Sequence, residues 1–223
     1  MMKKIISASA LAVLALSAVS CVLNNPIYKD TTMAEVINAT SVKTDAGLTY
    51  NIVDQFCEGT LESGKRVLVV CNVMKKTSNI DFDVELVYFT EPLNKESVRA
   101  SSIIQSLGDD PIFINNLWVA GGYLNMRFTV QELEDGATHY INLAWDDTAP
   151  ADTLRFTLLH DDGIDGIHIP DEDDDSVSYG NAFATFPIEA LVPAELSEMP
   201  VKVSWTWDKE YCVKDGLKIT VAR

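Results

Sequence analysis

Short runs of β-branched and aromatic residues recur along this chain of 223 residues. Within the runs, apolar residues alternate with polar ones or are continuous, and Gly, Asn and Asp stand between the runs. This pattern is typical of β-strands joined by turns, and many such strands predict a sandwich or a barrel. We therefore predict an all-β fold from ten runs, which cover residues 35–42, 47–53, 66–74, 81–89, 124–130, 139–145, 154–159, 182–189, 201–207 and 217–221.

A boundary between two domains is indicated near residues 92–100. Four predicted strands precede it, with a hairpin signal at Gly64, and aromatic and acidic residues become more frequent after it. The lengths fit a small barrel over 34–95 followed by a β-sandwich over 100–223. The segment 92–107 fits a helix and a loop with a strand equally well.

The N-terminus has the pattern of a secretory signal, because Lys3 and Lys4 precede an apolar run over 5–16. That run is about 12 residues long, short of the roughly 20 that span a membrane as a helix. The following residues, Leu16-Ser17-Ala18-Val19-Ser20-Cys21, resemble a bacterial lipobox. We predict a signal peptide over 1–20, lipidation of Cys21 with a diacylglycerol and an acyl chain such as palmitate, and a tether over 21–33.

The charge of the chain excludes one class of partner. It has 33 acidic and 17 basic residues, a net charge of −16, and removal of 1–20 leaves −18. A nucleic-acid partner requires a basic face, so none is expected. Anionic lipid headgroups repel such a surface, so the expected contact with the membrane is the lipid anchor alone.

Three segments together resemble the NigD-like lipoproteins of the Bacteroidetes. They are Gly64-Lys65-Arg66-Val67-Leu68-Val69, Leu117-Trp118-Val119-Ala120-Gly121-Gly122-Tyr123-Leu124-Asn125-Met126 and Leu154-Arg155-Phe156-Thr157-Leu158-Leu159-His160. The resemblance covers nearly the whole mature chain and implies an OB-type barrel followed by a β-sandwich. It implies no catalytic residues. No acidic run follows Cys21, which favours the outer membrane and leaves its periplasmic face and the cell surface as alternatives.

Three sets of residues are candidate sites besides the cysteines. Adjacent Gly121 and Gly122 indicate a tight turn or bulge, with a ligand contact as the alternative. The acidic loop is a solvated segment or a weak calcium site, with Asp161, Asp165, Asp173 and Asp175 as its ligands. Exported proteins of the family's phylum carry O-glycans on Asp-Ser/Thr-apolar tripeptides, and the best matches here are centred on Thr148 and Ser176.

The cysteines leave a further alternative open. Cys57 and Cys71 flank the turn at Gly64, so they form a disulfide on neighbouring strands or remain buried thiols. A bridge that closes about 15 residues stabilises a protein by about 3 kcal/mol in the chain-entropy model. Cys212 has no partner left in either case.

The sequence has no nucleophile elbow, phosphate-binding loop or zinc spacing. We therefore expect a lipid-anchored envelope protein that acts as a binding module for a protein or a glycan, without a cofactor and without enzymatic activity. Two alternatives remain. One is an immunity factor against an exported bacteriocin-type toxin, since the family is associated with a bacteriocin locus. The other is a hydrolase of envelope glycans, which requires two carboxylates at a fixed separation.

Overall fold

The computed structural model describes residues 26–103, 105–132, 138–150, 152–163, 178–207 and 210–221. Its first domain is a closed barrel in which the strands follow the order β1-β2-β3-β5-β4. Strands β3 and β5 are parallel, and the other neighbours are antiparallel. This connectivity is that of an OB barrel. The strands are β1 (Tyr28–Asn38), β2 (Ser41–Thr44), β3 (Thr49–Gln55), β4 (Arg66–Lys76) and β5 (Asp81–Thr90).

The apolar run of β4 explains its central place in the barrel. The strand pairs with β1 on one side and with β5 on the other. Alternate residues, Val67, Val69, Cys71 and Val73, point into the barrel and are at most 1% exposed. Inside the same core, the Tyr50 hydroxyl donates a hydrogen bond of 2.6 Å to Asp30, and burial raises the pKa of this phenol.

The second domain is a sandwich of two sheets. One sheet has the order β14-β13-β11-β10-β7 and the other the order β6-β12-β9-β8. The strands are β6 (Leu93–Asn94), β7 (Val98–Arg99), β8 (Phe113–Ala120), β9 (Tyr123–Glu132), β10 (Tyr140–Trp145), β11 (Leu154–Asp161), β12 (Ser178–Pro187), β13 (Glu198–Trp207) and β14 (Glu210–Thr220).

Strict alternation places the sandwich core between the sheets. In β11 the even positions from Leu154 to His160 are buried and the odd positions are half-buried. Leu124 and Met126 of β9 and Phe186 of β12 face them from the other sheet, each at most 1% exposed. The opposite face of the β6-β12-β9-β8 sheet is thereby left outside the core, and the barrel packs against part of it.

The all-β prediction is confirmed, and each of the ten predicted runs overlaps a strand. The helix alternative for 92–107 is wrong. That segment crosses from one sheet of the sandwich to the other. It supplies β6, which pairs with β12, then β7, which pairs with β10, and a single 3₁₀ turn, Ala100–Ser102. Residues 28–33, assigned to the tether, form the first half of β1. None of the described residues belongs to a helix long and apolar enough to cross a membrane.

Candidate functional site

The two domains meet where the β8–β9 turn touches the β2–β3 turn. Gly121 and Gly122 form the former, with φ of 60° and 85°. A Cβ on Gly121 would lie 2.5 Å from Asp45 Oδ1, and one on Gly122 would lie 2.5 Å from Glu189 Oε2. Gly122 O also accepts hydrogen bonds from the backbone N–H groups of Ile188 and Glu189. Both glycines therefore allow the positive φ, and the missing side chains allow the close approach of the barrel at Gly121 and of the sandwich segment 188–189 at Gly122.

A buried ion pair lies beneath this turn. Both guanidinium Nη atoms of Arg66 donate to Asp45, at 2.5 and 2.7 Å, and the two side chains are 3% and 7% exposed. Arg66 starts β4 and Asp45 follows β2, so both partners of the ion pair belong to the barrel domain. A bidentate arrangement of this kind fixes the orientation of both groups.

Asn125 of β9 joins the sandwich to that pair. Its Oδ1 accepts from Arg66 Nη2 at 3.0 Å and from the Thr185 hydroxyl at 2.9 Å, and its Nδ2 donates to Asp45 Oδ2 at 3.2 Å. The Tyr123 ring lies 4.1 Å from the guanidinium carbon of Arg66 in a cation–π contact. We call Asp45, Arg66, Gly121, Tyr123 and Asn125 the interdomain clasp.

The clasp explains one of the three segments that carry the family resemblance, residues 117–126. Gly121, Tyr123 and Asn125 of that segment all contact Asp45 or Arg66. The turn predicted at the two glycines is confirmed by their backbone conformation. Its contact with the other domain was not predicted.

A groove runs between the barrel and the outer face of the β6-β12-β9-β8 sheet. It has two ends, with volumes of about 550 and 460 Å³. Leu68 of β4 and Phe183 of β12 line both ends, so the two are parts of one depression, which we call the interdomain groove. Each end falls within the size range of sites for small ligands, roughly 300–1,000 Å³.

The floor of the interdomain groove combines aromatic and hydrogen-bonding side chains. Across the strands, Asn116 of β8 lies opposite Arg127 of β9, and Arg127 lies opposite Phe183 of β12. Trp118 lies two residues further along β8, opposite Asn125 of the clasp. Arg127 donates to Asn181 at 3.2 Å. Thr31, Thr32 and Met33 of β1 form the barrel wall at the larger end.

The charges in the groove are compensated except at one residue. Asp45 lines the larger end and is held by Arg66, and Glu91 lines the smaller end and pairs with Lys65 at 3.2 Å. Arg127 is exposed and forms no ion pair with any described residue. In a chain with a net charge of −16, this groove therefore carries a local positive charge.

The cysteines lie differently from the sequence-based expectation. Strands β3 and β4 are not neighbours, because β5 lies between them, so the hairpin predicted at Gly64 does not form. Cys71 points into the barrel core and Cys57 packs against that core from the segment after β3. Cys57, Cys71 and Cys212 are thiols in the structure. A bridge between Cys57 and Cys71 in the protein from the envelope stays a prediction.

The acidic loop is described only at its start. Asp161 ends β11, whereas Asp165, Asp173 and Asp175 lie outside the described residues. Carboxylate oxygens of Asp110, Asp161 and Asp162 lie within 4.8 Å of one another. Asp110 accepts from the Asp162 N–H and Asp161 from the Gly163 N–H, so these carboxylates order the loop. The calcium alternative with the four predicted ligands stays a prediction.

Beside this loop, His160 links β11 to the segment before β8. It is 4% exposed, and its Nδ1 lies 3.1 Å from Pro111 O and 3.3 Å from Asp110 O. Carbonyl oxygens only accept, so Nδ1 carries the proton and the neutral Nε2 accepts from His139 Nδ1 at 2.9 Å. Burial, and secondarily His139, lower the pKa of His160.

The predicted glycosylation site at Thr148 is not part of the groove lining. Thr148 is exposed in the β10–β11 turn, where its hydroxyl donates to Asp146 at 2.7 Å. This position is accessible to a glycosylating enzyme. Cys21 and Ser176 lie outside the described residues.

The fold and the clasp define a two-domain all-β protein in which an OB-type barrel is joined to a β-sandwich through buried polar contacts. Residues 96–213 match the family model of the NigD-like C-terminal beta sandwich domain. The match spans more than half of the chain, so the chain belongs to the NigD-like family. Comparison with curated proteins finds no match.

Solved structures share this two-domain fold. A protein of unknown function from Bacteroides vulgatus is similar with a TM-score of 0.66 and 16% identity, over 88% of this chain and 92% of that one. A NigD-like immunity protein from Bacteroides caccae has a TM-score of 0.61 and 13% identity, over 86% and 96%. A candidate lipoprotein from Bacteroides fragilis has a TM-score of 0.57 and 10% identity, over 88% and 100%.

Proposed function

We propose that this protein is a lipid-anchored component of the cell envelope that binds a partner in the interdomain groove and catalyses no reaction. The observation that carries the proposal is the groove itself, in which Trp118, Phe183 and Arg127 remain accessible between two domains. The clasp beside it holds the two walls in a fixed relation, and a preformed site of this kind lowers the ordering cost of binding.

The envelope location is supported by the lipobox ending at Cys21 and by the fold shared with the candidate lipoprotein. We propose the outer membrane, with the groove on the periplasmic face or at the cell surface. Proteolysis of a C-terminal tag on intact and lysed cells distinguishes the two. Cleavage on intact cells means surface display, and protection until lysis means the periplasmic face. Replacement of Cys21 by Ser is expected to release the protein from the membrane fraction, and retention would contradict the anchor.

Binding without catalysis is supported by the state of the carboxylates. Hydrolysis of a glycan requires an acid and a base that face the substrate. Among the described residues that line the groove, the carboxylates are Asp45 and Glu91, and each is already paired with a cation. The hydrolase alternative therefore has no pair of available carboxylates in this groove.

Photo-crosslinking in cells tests whether a partner binds in the interdomain groove. A photoreactive residue at Thr31, in the groove wall, is expected to form an adduct that disappears when Trp118→Ala is added. The control position is Tyr211 of β14, which is 68% exposed, belongs to the other sheet and does not line the groove. Adducts of equal yield at both positions, or an adduct insensitive to Trp118→Ala, would contradict a specific partner in the groove.

An immunity role is the second candidate, because a solved structure with the same fold is a NigD-like immunity protein. A basic toxin would be attracted to a mature chain with a net charge of −18. Deletion of the gene is then expected to sensitise the cell to toxin from neighbouring strains, and unchanged survival in co-culture would contradict this candidate.

A further inference from the structure

We propose that the ligand of the interdomain groove is a glycan chain that carries a carboxylate-bearing sugar. This inference rests on the proposed function, since it names the class of ligand for the same groove. Three properties of the groove floor support it: the spacing of its aromatic rings, the groups between them, and the uncompensated charge of Arg127.

The aromatic rings are placed for stacking on sugar rings. Trp118 lies on β8 and Phe183 on β12, with β9 between them, so two strand spacings and an offset of two residues along the strands separate their backbones by about 12 Å. Both side chains are only half-buried. The C–H face of a pyranose ring is apolar and packs on an aromatic ring, where contact removes apolar surface from water. An extended oligosaccharide reaches both rings.

Hydrogen-bonding side chains occupy the floor between and beside the two rings. Asn116 and Arg127 lie on one cross-strand row, and Asn115 and Asn181 lie on the next, where both accept from Thr129. Amides, guanidinium and hydroxyl groups match the hydroxyls of a sugar. The pairing of β8 with β9 shifts register between Ile114 and Asn116, and Asn115 is the extra residue. Asn115 and Asn116 are therefore both exposed.

The charge favours an acidic sugar over a neutral one. Arg127 donates one hydrogen bond to Asn181 and has further N–H donors, which match a carboxylate in a bidentate arrangement. Of the carboxylates that line the groove, Asp45 is held by Arg66 in a buried ion pair, and Glu91 lies at the other end of the groove beside Lys65. Repulsion by the rest of this acidic chain is screened beyond about 8 Å at physiological ionic strength, so a short oligosaccharide whose carboxylates lie within the groove is tolerated.

The floor is less suited to an extended peptide. Such peptides bind by adding a strand to a free sheet edge. Strand β9 is paired on both sides at Arg127, so the row of the floor that carries the charge offers no unpaired backbone edge, whereas β12 pairs with β6 only at Ala184 and Thr185. Recognition in that row depends on side chains alone.

The test is calorimetric titration of the mature domain pair with two probes, oligogalacturonate and its neutral counterpart, a galactose oligomer of the same length. We expect oligogalacturonate to bind, the neutral oligomer to bind at least tenfold more weakly, and Arg127→Gln to remove that difference. Trp118→Ala is expected to weaken binding of both. Arg155→Gln and Tyr211→Ala, at exposed or half-exposed positions on the other sheet, are the matched controls and should change neither affinity.

Each other result overturns the inference in a distinguishable way. Equal affinity for both oligomers with no effect of Arg127→Gln overturns the acidic sugar. Binding of neither, together with a protein adduct from the crosslinker at Thr31, overturns the glycan and leaves the proposed function standing. Binding of neither and no adduct overturns both.

Discussion

At the scale of single residues, Gly121 combines backbone strain with a close contact, and the two effects are separable. A side chain at its φ of 60° is strained, and its Cβ would also meet Asp45. Gly47 has a φ of 78° but no atom within 4 Å of an added Cβ, so Gly47→Ala measures the strain alone. We expect Gly47→Ala to lower the free energy of unfolding by about 1–2 kcal/mol.

For Gly121→Ala the overlap with Asp45 should add about 1–3 kcal/mol to that loss. Urea unfolding of the two variants gives the comparison directly. Equal losses would mean that Asp45 moves aside at little cost and that the turn is not closely packed against the barrel.

The thiols differ in their environment and should differ in reactivity. Burial, with smaller effects of Asp30 and Cys57, raises the pKa of Cys71 to about 12. Only the thiolate reacts, so in the reduced protein Cys71 should be alkylated far more slowly at pH 8 than Cys57, which is half-buried. Mass spectrometry of peptides after timed exposure to iodoacetamide measures both rates. Equal rates would contradict the burial of Cys71.

At the scale of elements, local patterns predicted the strands and failed where a strand is irregular or very short. Strand β11 alternates strictly and was predicted nearly to its bounds. Strand β8 was missed because Asn115 and Asn116 interrupt its alternation at the register shift. Strands β6 and β7 have two residues each, and their pairing with β12 and β10 depends on contacts distant in sequence. A short periodicity cannot encode such pairing.

The contact between β11 and the segment before β8 should depend on pH. The pKa of His160 is lowered on folding by burial and by His139, with the nearby Asp110 opposing. In the unfolded chain this histidine has the ordinary pKa of about 6.5, so near and below that pH the unfolded state binds more protons than the folded state. Stability is therefore complete above that pH and falls as the pH decreases, by at most about 1.4 kcal/mol per pH unit for one proton.

Urea unfolding between pH 7.5 and 5.5 tests this expectation, with His160→Gln as the variant that lacks the titrating group. The variant should be less stable throughout and lose less stability over that interval than the original chain. Parallel pH profiles for the two proteins would show that other groups cause the dependence.

At the scale of the whole molecule, the site was accessible to sequence reasoning only in its local part. The two glycines indicated a turn, because their conformational freedom is a property of single residues. The hydrogen bond from Arg66 to Asn125 joins residues 59 positions apart in the sequence. The two residues belong to different domains, each with its own apolar core. The interdomain groove is a product of that docking, so no pattern within either domain encodes it.

Docking through the clasp should also make the two domains unfold together. Asn125→Ala removes an acceptor from Arg66 and Thr185 and a donor to Asp45, all in a buried site, where each unmet group costs about 1–3 kcal/mol. The domains then separate more easily, since water satisfies these groups once the interface opens. Asn181→Ala, an exposed position on the same sheet face, is the control.

The tryptophans make this coupling directly measurable. All four, Trp118, Trp145, Trp205 and Trp207, lie in the sandwich, so their fluorescence follows that domain, whereas far-UV circular dichroism follows both. The original chain and Asn181→Ala should give coincident urea transitions by the two probes. In Asn125→Ala the transitions should separate, because the barrel loses the partner to which Arg66 and Asp45 are bound. Coincident transitions in Asn125→Ala would mean that other contacts between the barrel and the sandwich couple the domains without the clasp.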